Sequence, residues 1–172
     1  AAARVTAAAG GRARDATPRS LDAVVASGEL DSSRIVAREL AECRIPAAWI
    51  DARTVVVTDA EHTGAAPDMT ATCERARERI GQAAARGQVV VLAGFIGATA
   101  SGVTTTLGRG GSDYSSAIIG ACLGVDEIQI WTDVDGMLTA DPRIVPQSRV
   151  VPQLSFAEAS SFLPRTREFR LG

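Results

Sequence analysis

The chain has 172 residues, enough for one domain with a sizeable core, and its 46% hydrophobic and 22% charged content is ordinary for a globular protein. A net charge of −2 argues against a nucleic-acid or anionic-membrane partner, and no apolar run reaches the roughly 20 residues of a membrane span. All 18 basic residues are arginine, so no lysine ammonium is available for a phosphate clamp or a general base.

In chain order, the first sixteen residues mix alanine and arginine without a continuous apolar core. That argues against a secretory signal, and the lack of acids before Asp15 only faintly resembles a transit peptide. A poorly ordered start over 1–16 is expected. Ser20 to Ser27 reads as a short amphipathic segment stopped by Gly28. Leu30 to Cys43 has helical apolar spacing, with Ser32 or Ser33 as N-cap. Ala47 to Asp59 reads as two short strands, followed by a loop through Gly64 to Asp68. A charged helix spans Thr70 to Arg86. The continuous apolar run Gln88 to Gly97 fits a buried parallel strand. Gly97 to Gly102 is a turn, Thr104 to Thr106 a strand pairing back, Gly111 to Gly124 a helix, and Glu127 to Thr132 a second buried strand. This alternation predicts an α/β fold, a three-layer αβα sandwich with a mostly parallel sheet and sites at the strands' carboxyl ends.

Cys43, Cys73 and Cys122 are odd in number, far apart and in no CxxC arrangement. They argue against a disulfide framework or zinc site and for reduced cysteines in a cytoplasmic protein. His62, the single histidine, reads as a solvent-exposed loop residue, and no metal-ligating set is expected.

Two stretches carry chemistry. In TTTLGRGGSD (Thr104 to Asp113), Gly108, Gly110 and Gly111 let the backbone turn tightly and approach a ligand. Ser112 is placed as an N-cap and Asp113 falls in the first helical turn, so the segment offers an anion a helix N-terminus. Arg109 within the turn can fork onto a carboxylate. The second stretch, IWTDVDGMLTADPR (Ile130 to Arg143), sets Thr132 and Asp133 at a strand end, with Asp135, Asp141 and Arg143 beyond. An anion cradle with an acidic loop at a strand end points to phosphoryl transfer with a metal ion. Asp135 and Asp141 also read as plain turn formers. Glu29 reads equally as an exposed acid after a helix stop, and Phe95 as a core residue. A dinucleotide-binding fold is disfavoured, because the glycine turn lies mid-chain and lacks GxGxxG spacing.

Together these stretches closely resemble the nucleotide and substrate loops of aspartate kinases, within the amino acid kinase family. SGELDSSRIVAREL, PAAWIDAR, VVVLAGFIG and VVPQLSFAEA fall in that family's order and approximate spacing, so the resemblance covers about Thr17 to Ala159. It implies that Arg109, Gly110, Gly111 and Ser112 hold L-aspartate, with Glu29 on its α-amino group and the Phe95 backbone nearby. Asp113 and Arg109 would be the catalytic residues, Asp113 orienting the transferring group. Thr132 and Asp133 would contact the purine or ribose of ATP, and Arg143 its phosphates. The implied reaction is transfer of the γ-phosphoryl group of magnesium-bound ATP to the aspartate side chain, giving 4-phospho-L-aspartate, the first step towards lysine, threonine and methionine.

The resemblance has gaps. The family's lysine-bearing Lys-Phe-Gly-Gly strand and its Gly-Ala-Lys-Val-Leu-His-Pro segment have no counterpart here, and Leu138 stands where many relatives have tyrosine. The expected organisation is a partial catalytic domain over 17–163 and a divergent tail over 164–172, without an ACT-type regulatory domain. Weak or no activity is expected of this polypeptide. A non-catalytic fragment or binding subunit, and another amino acid kinase family member, remain as alternatives. A homo-oligomer is compatible with the resemblance.

Overall fold

The computed structural model describes residues 17–131, 136–155 and 157–159, which divide into two compact units between Ile130 and Trp131. The first unit opens with α1 (Pro18–Glu42), capped by the Thr17 side chain accepting from the Ser20 N–H, with Pro18 at the start of the helix. Gly28 does not end it; the two helical segments expected from the sequence are one. A helical glycine costs about 1 kcal/mol relative to alanine. Here a buried stripe of Asp22, Ala26, Leu30 and Ser33 continues across it at helical spacing and offsets that cost. Ser33 is therefore no N-cap; its hydroxyl donates to Leu30 C=O and accepts from the Trp49 indole at 2.9 Å.

Strand β1 (Ala47–Trp49), a single 3₁₀ turn (Ala52–Thr54) and β2 (Val57–Thr58) follow, then α2 (Met69–Ala85), capped by Asp68. The run from Gln88 to Gly97 is not one buried strand. It divides into β3 (Val89–Val91) and β4 (Ile96–Thr99), which belong to different sheets, and Val89 is exposed. The break falls at Phe95, whose backbone is left-handed at φ 69°. That conformation lies outside the extended region that regular strand pairing uses, and residues 92–95 belong to no strand. Strand β5 (Thr104–Thr106) returns antiparallel to β4, and α3 (Gly111–Leu123) closes the unit.

β1 and β3 pair in parallel, as do β2 and β4, giving a two-stranded and a three-stranded sheet in an α/β fold rich in parallel pairs. One apolar cluster (Val55, Val56, Ala76, Ile80, Leu107, Ile118, Cys122) lies under α2 and α3. The other (Ala26, Leu30, Ala52, Ala93, Ile96) lies under α1, so helices cover the strands from two sides. Residues 127–131 form no strand, and Ile128, Ile130 and Trp131 are exposed, Trp131 at 89%. An apolar β-branched run favours extended backbone, but a strand also needs a partner, and none of the described residues pairs with it.

In the second unit, Leu138 and Val150 form an antiparallel bridge, supported by Val151 N–H donating to Met137 C=O at 2.8 Å. Residues 157–159 begin a helical turn, with Ser155 and Glu158 bonding each other's backbone N–H in a reciprocal cap.

Cys73 and Cys122 are disulfide-bonded, joining α2 to α3, contrary to the reduced state expected from their spacing; Cys43 is free. The pair is 49 residues apart in sequence, and only the packing of α2 on α3 brings it together. Closing a loop of that length constrains the unfolded chain by up to about 4 kcal/mol. Urea unfolding with and without a dithiol reductant should therefore differ by a few kcal/mol in unfolding free energy. Identical curves, with loss of the bond verified by thiol titration, would show that it does not stabilise the fold.

Candidate functional site

The site begins where β5 ends. Leu107 N–H donates to Phe95 C=O, and the chain then turns through Gly108 (φ 78°), Arg109 and Gly110 (φ 73°) into α3. Gly110, not Ser112, is the N-cap, and no side chain caps the helix. Its left-handed backbone brings the chain into the helix two residues earlier than a cap at Ser112 would. Ser112 thereby moves inside the first turn, and Asp113 sits there as expected. Gly111 N–H returns to Gly108 C=O and Tyr114 N–H to Gly110 C=O. The Ser112 and Asp113 N–H groups have no backbone acceptor among the described residues. Free donors at a helix start, with the helix dipole behind them, favour an anion.

Phe95 is fixed against this turn from both sides. Its N–H donates to Ser115 Oγ at 2.8 Å, and the Ser115 hydroxyl donates to Gly111 C=O at 2.7 Å. With its C=O taken by Leu107, both backbone groups of Phe95 have partners within the chain. Gly111 must be glycine. A Cβ there would stand 2.6 Å from Phe95 Cδ2 and 3.2 Å from Phe95 Cα.

Together these elements form a cleft of about 380 Å3 lined by Glu29, Phe95, Arg109, Gly110, Gly111, Ser112 and Asp113, with Val25 and Gly108. Seven sequence-predicted residues thus meet at one place, although Glu29 comes from α1, some eighty positions earlier in the chain. Arg109 and Asp113 are exposed and Glu29 is half-buried, and none of the three is ion-paired with a described residue. Two opposite charges across a glycine-floored cleft can hold a zwitterion: the guanidinium takes a carboxylate and the glutamate an ammonium group. A second cleft, of about 400 Å3, lies beside Trp49 and Arg79; it has neither a glycine turn nor a helix N-terminus.

Of the nucleotide-side residues, Arg143 alone is among the described ones. Arg143 belongs to the second unit, where it is bidentate to Asp141, with Nε at 3.1 Å and Nη2 at 2.7 Å. That guanidinium and the Arg143 N–H hold the Asp141 carboxyl below its ordinary range, and Asp141 raises Arg143 in turn. Thr132, Asp133 and Asp135 lie outside the described residues. Among the described residues no group of three or more His, Cys, Asp or Glu could hold a metal ion.

Sequence reasoning missed the role of Ser115, which holds Phe95, and the burial of His62. Ser115 lies one turn after Gly111 on the buried face of α3, a polar residue at an apolar position. His62, expected exposed, is mostly buried, with Nδ1 2.6 Å from the buried Asp22 carboxylate. Asp22 carried a signal of its own, an acid on the apolar stripe of α1.

The chain matches the amino acid kinase family over residues 1–169, and it belongs to that family. It is 39% identical over 144 residues to lysine-sensitive aspartokinase 3 of Escherichia coli, covering 84% of this chain and 32% of the relative. It is 38% identical over 143 residues to aspartokinase 1 of Bacillus subtilis, covering 83% and 34%. Among solved structures, Escherichia coli aspartokinase III in complex with aspartate and ADP superimposes with a TM-score of 0.79 at 38% identity, over 84% of this chain and 32% of that one. Clostridium acetobutylicum aspartate kinase gives 0.69 at 30% identity, covering 86% and 32%. The chain therefore spans about a third of the length of these relatives.

Gly111→Ala should destabilise the fold by about 1–3 kcal/mol, because the added methyl must displace Phe95. Ser115→Ala should cost about 1–3 kcal/mol by leaving the Phe95 N–H without an acceptor. Urea midpoints within error of the parent for both variants would show that Phe95 is not held this way.

Proposed function

We propose that the cleft is an L-aspartate site and that the chain carries aspartate kinase chemistry: transfer of the γ-phosphoryl group of ATP to the side-chain carboxylate. The observation that carries this reading is the convergence of Glu29, Phe95 and the 108–113 turn on one cleft. Sequence identity of 38–39% to aspartokinases supports it.

In this reading Arg109 and Ser112 hold the substrate carboxylate groups, and Glu29 takes the α-amino group. Gly110 and Gly111 let the backbone come within hydrogen-bond reach of the substrate. A carboxylate is already an adequate nucleophile, so no general base is required. What the protein contributes is in-line placement and charge neutralisation around the transferring oxygens. Asp113 orients the transferring group, and the amides at the start of α3 supply donors. Thr132 and Asp133 take the purine or ribose. Arg143 would have to share or leave Asp141 to reach the phosphates. The magnesium in this reading is the ion that accompanies ATP, where it offsets phosphate charge. Cytoplasmic residence is part of the same reading; the described residues contain no helix long and apolar enough to cross a membrane.

The absence of lysine favours a second reading, in which the chain binds aspartate and ATP without turning them over. A missing cation at a phosphoryl-transfer site costs several kcal/mol of transition-state stabilisation, on the order of 10²–10³ in rate per interaction.

Aspartyl hydroxamate formation separates the readings. The 172-residue chain should give a slow rate that requires both L-aspartate and ATP and disappears in Arg109→Ala. Binding of both ligands with no hydroxamate supports the binding role. Binding of neither contradicts both readings, and turnover of glutamate in preference to aspartate would move the chain to another branch of the family.

A further inference from the structure

Asp22 is a buried carboxylate that the proposed chemistry does not use. It lies 1% exposed on α1 and receives three donors. Thr106 Oγ1 donates to Oδ1 at 2.7 Å, Thr63 N–H reaches the same oxygen at 3.1 Å, and His62 Nδ1 stands 2.6 Å from Oδ2. A carboxylate without a proton only accepts, so Nδ1 is the donor in that pair.

These donors belong to the two supports of the Arg109 turn. Thr106 ends β5, immediately before Leu107-Gly108-Arg109. Thr63 sits in the loop ahead of α2 with φ 68°, and its carbonyl oxygen lies 3.0 Å from where a Cβ on Gly108 would stand. The two supports are also tied to each other, Ala65 N–H donating to Thr106 C=O at 2.9 Å. At the other end, Asp22 shares its helix with Val25 and Glu29, which line the cleft one and two turns further on.

We infer that Asp22, through Thr106 and the His62-Thr63 loop, is a positioning residue that fixes the separation between Glu29 and Arg109, and with it the length of amino-dicarboxylic acid the cleft accepts. The inference rests on the aspartate reading for its substrate. The separation matters because aspartate and glutamate differ by one methylene, a difference worth roughly 10–200-fold when a pocket is rigid. A carboxylate serving three donors from two segments supplies that rigidity. An asparagine there must turn its NH2 towards a donor, and a Thr106 without its hydroxyl releases β5 from α1.

The test uses Asp22→Asn, Thr106→Val and Thr106→Ser in the full chain, with two readouts. In hydrogen–deuterium exchange, 107–112 should exchange faster in Asp22→Asn and Thr106→Val than in the parent, while α2 is unchanged and Thr106→Ser resembles the parent. In calorimetric titration, the first two variants should bind L-aspartate about tenfold more weakly with L-glutamate changed less than twofold, and Thr106→Ser should restore affinity. If Asp22→Asn does not fold, the Thr106 pair decides. Unchanged exchange over 107–112, or equal losses for aspartate and glutamate, overturns the inference. A parent chain that binds no aspartate defeats the substrate reading instead, and exchange at 107–112 still decides whether Asp22 holds the turn.

Discussion

The approach of α3's first turn to the bend at Phe95 is the contact on which the site depends. Phe95 occupies a left-handed backbone conformation, which costs a non-glycine residue about 1–2 kcal/mol, and the Ser115 hydroxyl bonding its N–H compensates by a comparable amount. That arrangement requires a residue without a side chain at Gly111, because any Cβ would occupy the space of the Phe95 ring. It also divides the apolar run 88–97 into strands of two different sheets, and it turns the Arg109 loop towards α1 and Glu29. One local conformation therefore sets the strand pattern and the floor of the cleft together.

Much of this was legible from the residues. The glycines of LGRGGSD predicted a tight turn into a helix, and the helix starts within that motif, with Asp113 in its first turn. The residues assigned to the substrate by resemblance do meet, even though α1 and the 108–113 turn are far apart in sequence. What was not legible depended on tertiary partners. Gly28 reads as a stop until the buried stripe on both sides of it is seen. Ser112 reads as a cap because nothing local reveals that Gly110 takes that position in a left-handed conformation. The cysteine pair has no motif spacing; only the packing of two helices makes it a bond. His62 looked solvent-exposed because its partner, Asp22, lies forty residues earlier.

In the proposed chemistry the residues assigned to aspartate lie in the first unit and Arg143 in the second. The amino-acid side belongs to the first unit, where opposite charges, a glycine floor and free amides stand within one cleft. Of the nucleotide side, Arg143 lies in the second unit and is engaged with Asp141. A chain whose cations are all arginine can fork onto carboxylates well, since the planar guanidinium suits two oxygens at once. It cannot offer the compact ammonium that phosphoryl transfer often employs.

In the proposed site Glu29 and Arg109 face one amino-dicarboxylic acid across the cleft. Calorimetric titration of L-aspartate and of succinate, which lacks the amino group, into the parent chain and Glu29→Gln tests it most directly. The parent should prefer aspartate, and Glu29→Gln should lose most of that preference, binding the two acids with similar affinity. Equal binding of aspartate and succinate by the parent, or an undiminished preference in Glu29→Gln, would contradict it.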